Sequence, residues 1–383
     1  MRTVAVFTGN RAEYGLLFPI LRAMRERGDL RVQLVVSGGH LAEEFGRTIS
    51  EIEEDGVEVA ATVDLGITGT DVRSQTQALA RAVAAFADAV HALAPDLSLV
   101  YADRMEGFAA AIASFEMNVP LAHVEGGDLT EGGTHDDSVR HAITKLAHLH
   151  FTTSEEAAER VRRLGEEAWR VTVAGLPTLD SVARKDFPPP EEMYADLALD
   201  PSRPVLVFTQ HPVNTERERA GEQATASLQA LRDVGEQTVI THPNSDPGSR
   251  DVIEAFEAFR DVPHFRFHRS LGRRRYLGLL NIAAAVVGNS SSGLKETPSF
   301  GIPCVNIGSR QEGRLRADNV IDTPYGRQAV AAAVRLALYD EAVRARARHC
   351  HHPYGDGRCG EIVASTLATV ELGPRLLRKR MTY

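Results

Sequence analysis

The sequence predicts an α/β protein with two parallel-sheet domains, and three observations carry that expectation. Short β-rich apolar runs alternate with Ala-, Leu- and Arg-rich segments of helical spacing, the rhythm of βαβ units. The rhythm breaks once, between Asp186 and Pro204, and then restarts. Polar and glycine-containing motifs recur directly after the apolar runs, at the strand ends where α/β proteins bind ligands.

In the first half, strands are expected at Thr3–Thr8, Arg31–Ser37, Leu97–Tyr101, Leu121–Val124, His150–Thr153 and Arg170–Ala174. Their near-continuous apolar character suits strands covered on both faces. Helices are expected at Tyr14–Arg27, Ser74–Ala94, Gly107–Glu116 and Ser154–Leu164, with one more beginning near Ser138. Phe187-Pro188-Pro189-Pro190 and Asp200-Pro201-Ser202-Arg203-Pro204 then punctuate the chain, because proline restricts the residue before it. The linker is placed at 186–203, between an N-terminal domain over 1–185 and a C-terminal domain over 204–360. The second half restarts with strands at Val205–Thr209, Thr238–Thr241, Phe265–His268, Ala284–Gly288 and Cys304–Ile307. Its helices are expected at Ala224–Val234, Ser249–Phe259, Arg274–Ile282 and Ala329–Tyr339. Two such halves are expected to put a cleft between them.

Composition narrows the function classes. At about 150 residues per domain, 383 residues fit two to three domains. The 52 acidic and 43 basic residues give a net charge of −9, which argues against a general nucleic-acid or membrane-surface binder. The apolar run Val4–Phe7 stops at Gly9, too short for a signal-peptide core. No stretch approaches the roughly 18 apolar residues of a membrane span. Three cysteines, Cys304, Cys350 and Cys359, make no disulfide framework and fit a reducing compartment. A cytoplasmic location is expected.

The first strand runs into Thr8-Gly9-Asn10-Arg11-Ala12-Glu13-Tyr14-Gly15. A glycine-containing turn at a helix start suits an anion, and Arg11 adds a charge with bidentate phosphate geometry; the same features also make an ordinary βα turn. Asp103 follows the strand ending at Tyr101, and Glu125 follows the strand ending at Val124. The loop Leu129–His135 leads to Asp136 and Asp137. Acids gathered at one sheet edge raise each other's proton affinity, and a carboxylate beside a carboxylic acid can remove one proton and deliver another. Hard-metal binding and helix capping are the alternative uses of these residues.

In the second half, His211 and His242 sit at strand ends, where a histidine serves phosphate or proton chemistry or simply fills a polar site. Gly288-Asn289-Ser290-Ser291-Ser292-Gly293-Leu294-Lys295-Glu296 brings serine hydroxyls and free N–H groups to an expected helix start, the makings of a diphosphate cradle. Glu296, on the first or second turn, suits ribose hydroxyls; a serine cap with its Glu partner is the plainer alternative. His349-Cys350-His351-His352 with Cys359 matches no standard zinc spacing, and no metal site is expected. The run Arg273-Arg274-Arg275 reads as a solvated helix face.

Taken in order along the chain, these motifs resemble the hydrolysing UDP-N-acetylglucosamine 2-epimerases of sialic and related nonulosonic acid biosynthesis. The resemblance rests on Gly9–Gly15, Asp103–Glu106, His123–Asp128, Asp136–Lys145, His242–Asp246, Gly288–Gly293, Gly308–Arg314 and Tyr354–Gly357. It implies a GT-B fold: two Rossmann-like domains, the active site in the cleft between them, and a C-terminal helix, about 361–383 with Glu361–Arg378 at its heart, returning to the first domain. It implies loss of UDP from C1 as the C2 proton is removed, giving a 2-acetamidoglucal. Water then adds at C1 and a proton returns to C2 from the other face, leaving N-acetylmannosamine and UDP. It assigns Asp103, Glu125, Asp136 and His211 to catalysis. It assigns Arg11, Arg104, His211, Asn244, Ser290, Ser291, Glu296 and Arg310 to UDP. No cofactor is implied, and the expected partners are a UDP-sugar and further copies of the chain, as a dimer or tetramer.

The match has departures: Asn10 stands where Thr or Ser is commoner, Ala102 where Gly often precedes the Asp, Asp128 for a frequent Glu, and Lys295 for Arg or an apolar residue. They leave two sugars open, UDP-N-acetylglucosamine and UDP-2,4-diacetamido-2,4,6-trideoxyglucose, a legionaminic acid precursor. The rival readings are a non-hydrolysing 2-epimerase, a GT-B glycosyltransferase and a non-catalytic nucleotide-sugar binding protein. His211-Pro212-Val213-Asn214 departs from the His-Arg-Arg-Glu-Asn usual in non-hydrolysing relatives and favours hydrolysis.

Overall fold

A computed structural model of the chain describes residues 1–41, 48–66, 72–129, 135–243 and 248–383. It divides into two units, Met1–Ala183 with Tyr354–Tyr383, and Arg184–Pro353. Asn244, and the loop between Leu129 and His135, lie outside the described residues.

The first unit holds seven parallel strands: β1 (Arg2–Thr8), β2 (Leu30–Ser37), β3 (Val59–Val63), β4 (Leu97–Tyr101), β5 (Leu121–Val124), β6 (Leu149–Thr152) and β7 (Val171–Val173). Their order is β3-β2-β1-β4-β5-β6-β7. The chain winds outward one way from β1 and then the other way from β4, so the doubly wound switch point lies between these two strands. Helices Arg11–Arg27 and Cys359–Thr369 cover one face, and helices Val72–Leu93 and Met105–Glu116 the other. Every residue of β4 and β5 is buried.

The second unit repeats the plan with β8 (Val205–Thr209), β9 (Gln237–Thr241), β10 (Phe265–His268), β11 (Ala285–Gly288), β12 (Cys304–Ile307) and β13 (Val320–Thr323). The order β10-β9-β8-β11-β12-β13 puts its switch point between β8 and β11. β3 and β13 are additions to the expected strands. Each is an edge strand with solvent-facing residues, so neither makes the continuous apolar run that marks a central strand.

Three segments differ in detail from expectation. The 186–203 stretch carries a helix, Pro190–Asp196, whose Met193 is buried against Gly278 of helix Gly272–Ile282. The arginine run on that helix is not simply solvated. Arg273 and Arg274 pair with Asp186 at 2.8 and 3.2 Å, and Arg275 pairs with Asp196 at 2.6 Å. The C-terminal segment forms two helices, Cys359–Thr369 and Pro374–Leu377, because Gly373-Pro374 interrupts helical geometry. Its first helix lies close on helix Arg11–Arg27: a Cβ at Gly360 would stand 2.7 Å from the Pro19 carbonyl oxygen. Asp180 fixes the approach by accepting from the Cys359 and Gly360 N–H groups.

Candidate active site

At the carboxyl edge of the first sheet, β4 ends at Tyr101 and the chain turns through Ala102 in the left-handed region (φ 51°). The turn presents Asp103 to Arg140, which comes from helix His135–Leu146. The Arg140 guanidinium also donates to Asp137 at 2.6 Å and to the Asp128 carbonyl at 2.7 Å. Burial alone would lower the Arg140 proton affinity, but Asp103, Glu125, Asp128 and Asp137 outweigh it and raise it. Asp103 is itself raised, first by burial and then by Asp136, against the pull of Arg140. The cluster thus pairs one fixed cation with several acids, one of which binds its proton more tightly than usual.

Glu125 follows β5, also in the left-handed region (φ 66°), and accepts from the Tyr101 hydroxyl. Gly127 lets this turn pass helix Glu155–Arg163, since a Cβ there would lie 2.2 Å from the Ala157 carbonyl oxygen. Asp128 accepts from Thr153 Oγ1 at 2.6 Å. His123 is buried beneath the edge, with Nε2 2.7 Å from the Ala102 carbonyl oxygen; burial pushes it down to about 3, so it is neutral.

The other acids of this edge divide by burial. Asp136 is exposed on the first turn of its helix, and its charge reaches Asp103. Its neighbour Asp137 is the one bound by Arg140. The helix begins at His135 and so takes in both acids ahead of the expected start at Ser138. Arg104 is exposed at the start of helix Met105–Glu116 and lowers the proton affinity of both Asp103 and Glu13. Arg11 pairs with Glu51 at 2.6 Å. Asn10 caps its helix by accepting from the Glu13 N–H. Glu13 turns inward and accepts from the Gly9 N–H at 2.7 Å. Burial and nearby Glu106 push it up to about 8.

At the carboxyl edge of the second sheet, β11 presses against the end of β8. Gly288 (φ 131°) leaves no room for a side chain, because a Cβ would stand 1.9 Å from the Thr209 carbonyl oxygen. Asn289 then grips the His211 backbone, accepting from its N–H at 2.7 Å and donating to its carbonyl at 2.9 Å. Arg310 and Gln311, after β12, donate to the Asn289 carbonyl at 3.2 and 2.8 Å. Ser290 and Ser291 lie half-buried in the same turn, and Ser290 Oγ accepts weakly from the Ser292 N–H at 3.4 Å. The expected helix start is a single turn, Ser292–Lys295. Glu296 closes it and accepts from Ser292 Oγ at 2.5 Å; the Ser292 hydroxyl also meets that of Tyr276 at 2.7 Å.

The structure therefore gathers Asp103, Glu125 and Asp136 at one edge, and His211, Ser290, Ser291, Glu296 and Arg310 at another. Sequence reasoning named Asp137 among the acids of the first edge and Asn289 within the turn of the second, but gave no role of their own to Tyr101, Arg140 or Asn289. The signal for Arg140 was present: Asp137 and Arg140 stand three apart on a helix, where side chains meet. Among the described residues, no three His, Cys, Asp or Glu side chains are arranged to hold a metal ion. Cys350 belongs to the second unit, while Cys359 is buried in the first. Among the described residues, no helix is long and apolar enough to cross a membrane.

Two doubly wound parallel sheets, with acids at one switch point and a Gly-Asn-Ser turn at the other, have the fold class of GT-B proteins. The chain belongs to the UDP-N-acetylglucosamine 2-epimerase family, whose profile matches residues 22–368. It is 31% identical, over the full length of both chains, to the hydrolysing UDP-N,N′-diacetylbacillosamine 2-epimerase of Legionella pneumophila. It is 32% identical, over 84% of each chain, to the hydrolysing GDP/UDP-N,N′-diacetylbacillosamine 2-epimerase of Campylobacter jejuni. Its fold is that of the Neisseria meningitidis UDP-GlcNAc 2-epimerase solved with UDP-GlcNAc: the TM-score is 0.81 at 17% identity, covering 97% of this chain and 100% of that one.

Proposed function

We propose that this protein is a hydrolysing 2-epimerase acting on a UDP-2-acetamido sugar, with UDP-N,N′-diacetylbacillosamine (the 2,4-diacetamido-2,4,6-trideoxyglucose nucleotide) as its substrate. The observation that carries the reaction class is the Asp103–Arg140–Asp137 cluster beside Glu125 at the edge of the first sheet. The C2 proton of such a sugar is weakly acidic, so its removal needs a close, desolvated base. Its return from the opposite face needs a second group that carries a proton, and the raised proton affinity of Asp103 suits it to that task. Asp103, Glu125 and Asp136 form the acid–base set in this reading. UDP leaves C1 with the bonding pair as the C2–H electrons form the C1–C2 double bond. Water then adds its oxygen to C1 while a proton is delivered to C2.

His211, Ser290, Ser291, Glu296, Arg310, Arg11, Arg104 and Asn244 hold UDP. Departure of a diphosphate calls for positive charge and N–H or O–H donors, which this set supplies. The full-length similarity to the Legionella enzyme supports the diacetamido sugar and the hydrolysing outcome. UDP-N-acetylglucosamine is the second reading, supported by the family match over residues 22–368.

Proton NMR in D₂O with each nucleotide sugar in turn tests the proposal. The expected result is UDP together with a free 2-epimeric sugar deuterated at C2, formed from the diacetamido substrate. The same products from UDP-N-acetylglucosamine alone would replace the substrate and keep the reaction. A C2 epimer still attached to UDP would overturn hydrolysis. UDP binding without turnover of either sugar would overturn the enzymatic reading.

A further inference from the structure

We propose that Asn289 is a positioning residue: its side-chain amide sets His211, and its own backbone sets Arg310 and the serine turn, for a nucleoside diphosphate. This rests on the reading that the second-sheet edge holds UDP. Asn289 is 1% exposed and stands at the switch point between β8 and β11. Its N–H donates to the Thr209 carbonyl at 3.1 Å. Its carbonyl receives Arg310 and Gln311. Its side-chain oxygen and nitrogen both engage the backbone of His211. Each of its polar atoms has a protein partner, so it acts through its neighbours.

A two-point amide pair fixes direction as well as distance. One hydrogen bond to the His211 N–H would let the residue rotate about that bond, whereas a second bond to its carbonyl, in the next peptide group, ties down both sides of its Cα. The left-handed Gly288 is what brings Asn289 this close, because any side chain there would collide with Thr209. The residue after Asn289 is Ser290, and the group on its carbonyl is Arg310. A displaced Asn289 therefore moves His211, Ser290 and Arg310 together. Preorganised donors are what anion stabilisation requires, since donors that must reorganise lose most of their effect.

The test uses full-length protein with isotope-labelled histidine, in wild type, Asn289→Ala, Asn289→Asp, His211→Ala and the Asn289→Ala/His211→Ala double variant. Asn289→Asp keeps the acceptor for the His211 N–H and serves if the alanine variant does not fold. The His211 ring signal is identified by its loss in His211→Ala. It is expected to move or broaden in both Asn289 variants before any nucleotide is added. UDP affinity by calorimetry should fall by about 10- to 100-fold in Asn289→Ala, the scale of losing buried hydrogen bonds at an anion site. In kinetics, the double variant should lose less than the product of the two single losses, because part of the Asn289 effect on kcat runs through His211.

An unmoved His211 signal, with UDP affinity within about twofold of wild type, overturns the proposal. Multiplying kcat losses in the double variant overturn the route through His211. If wild type binds UDP but turns over neither sugar, the epimerase reading fails while the signal and the affinity still decide on Asn289. If wild type does not bind UDP, the UDP role of this edge fails and Asn289 loses its diphosphate function.

Discussion

Arg140 and Asp103 lie 37 residues apart in sequence and form an ion pair almost withdrawn from solvent, their side chains 4% and 14% exposed. Removing two charges from water is costly, and a buried pair holds only when its remaining donors are also satisfied. Here Nη2 takes Asp103, and Nη1 is shared between Asp137 and the Asp128 carbonyl. The pairing sets two opposed influences on Asp103. Burial and Asp136 favour the acid, and Arg140 favours the carboxylate. A group raised in this way suits the proton exchange proposed for it.

Asp103→Asn is expected to abolish that exchange while leaving UDP binding intact. Turnover should fall by about 100-fold or more, the scale of losing a general acid or base. Calorimetry with UDP should match wild type, because the diphosphate donors proposed in the second unit are untouched. Normal kcat in the variant would remove Asp103 from the acid–base set.

Arg140→Met is expected to be worse for the fold than Asp103→Asn. It leaves the Asp103 and Asp137 carboxylates at a buried site without their cation, at a cost of about 3–5 kcal/mol. The single tryptophan, Trp169, belongs to the first unit, so its fluorescence in a urea titration reads this loss directly. Arg140→Lys keeps the charge but not the planar fork that reaches several acceptors at once, and its midpoint should fall between the other two. A Met variant as stable as wild type would mean that the acids, not the arginine, dominate the energetics.

How much of this was legible beforehand depended on the kind of signal. β1, β4, β5, β8 and β11 announce themselves as apolar runs because both their faces are covered. Asp103, Glu125 and His211 were legible because they follow such runs at the ends where α/β sheets bind ligands. β3 and β13 were not, since an edge strand needs only one apolar face. Arg140 and Asn289 were hidden for another reason. Each acts on a partner far away in the chain, 37 residues for Asp103 and 78 for His211, and only the pairing of strands reveals such partners. Glu296 shows the limit of motif reading: the spacing placed it near the serines, and the fold binds it to Ser292.

Glu13 predicts a pH dependence of stability with a definite sign. Its proton affinity in the folded chain is about 8 against an ordinary 4.5, raised by burial and by Glu106. Between these values the folded chain holds a proton that the unfolded chain has released, so stability falls as pH rises through this window. Glu13→Gln keeps an oxygen to accept from the Gly9 N–H and has no charge to bury. It should flatten the fall in first-unit stability between about pH 4.5 and 8 and exceed wild type at the alkaline end by about 1–3 kcal/mol. Parallel curves for the two proteins, read by Trp169 fluorescence, would contradict the assignment.

Lys379 closes the far end of the helix that carries Asp136, Asp137 and Arg140. Its ammonium donates to the carbonyls of Lys145 and Ala147 at 2.7 and 2.6 Å, and pairs with Glu166 at 2.8 Å. Burial pushes it down to about 8, with Glu166 opposing. A cation at a helix C-terminus satisfies carbonyls that have no partner within the helix and favours the local dipole. Lys379→Met removes both effects and one of the partners that hold Glu166 ionised. A loss of about 1–3 kcal/mol is expected, from a residue close to the chain end. The tail it anchors also reaches Trp169: Arg170 donates to the carbonyls of Arg375, Leu376 and Arg378, and the Arg170 and Arg375 guanidiniums lie 4.2 and 4.7 Å from the Trp169 ring. Release of the tail should therefore shift tryptophan emission in the folded protein, before any denaturant is added. Turnover should fall while UDP affinity stays, since the helix belongs to the acid-bearing edge. An unaltered emission spectrum with an unaltered urea midpoint would show that the tail holds its place without Lys379.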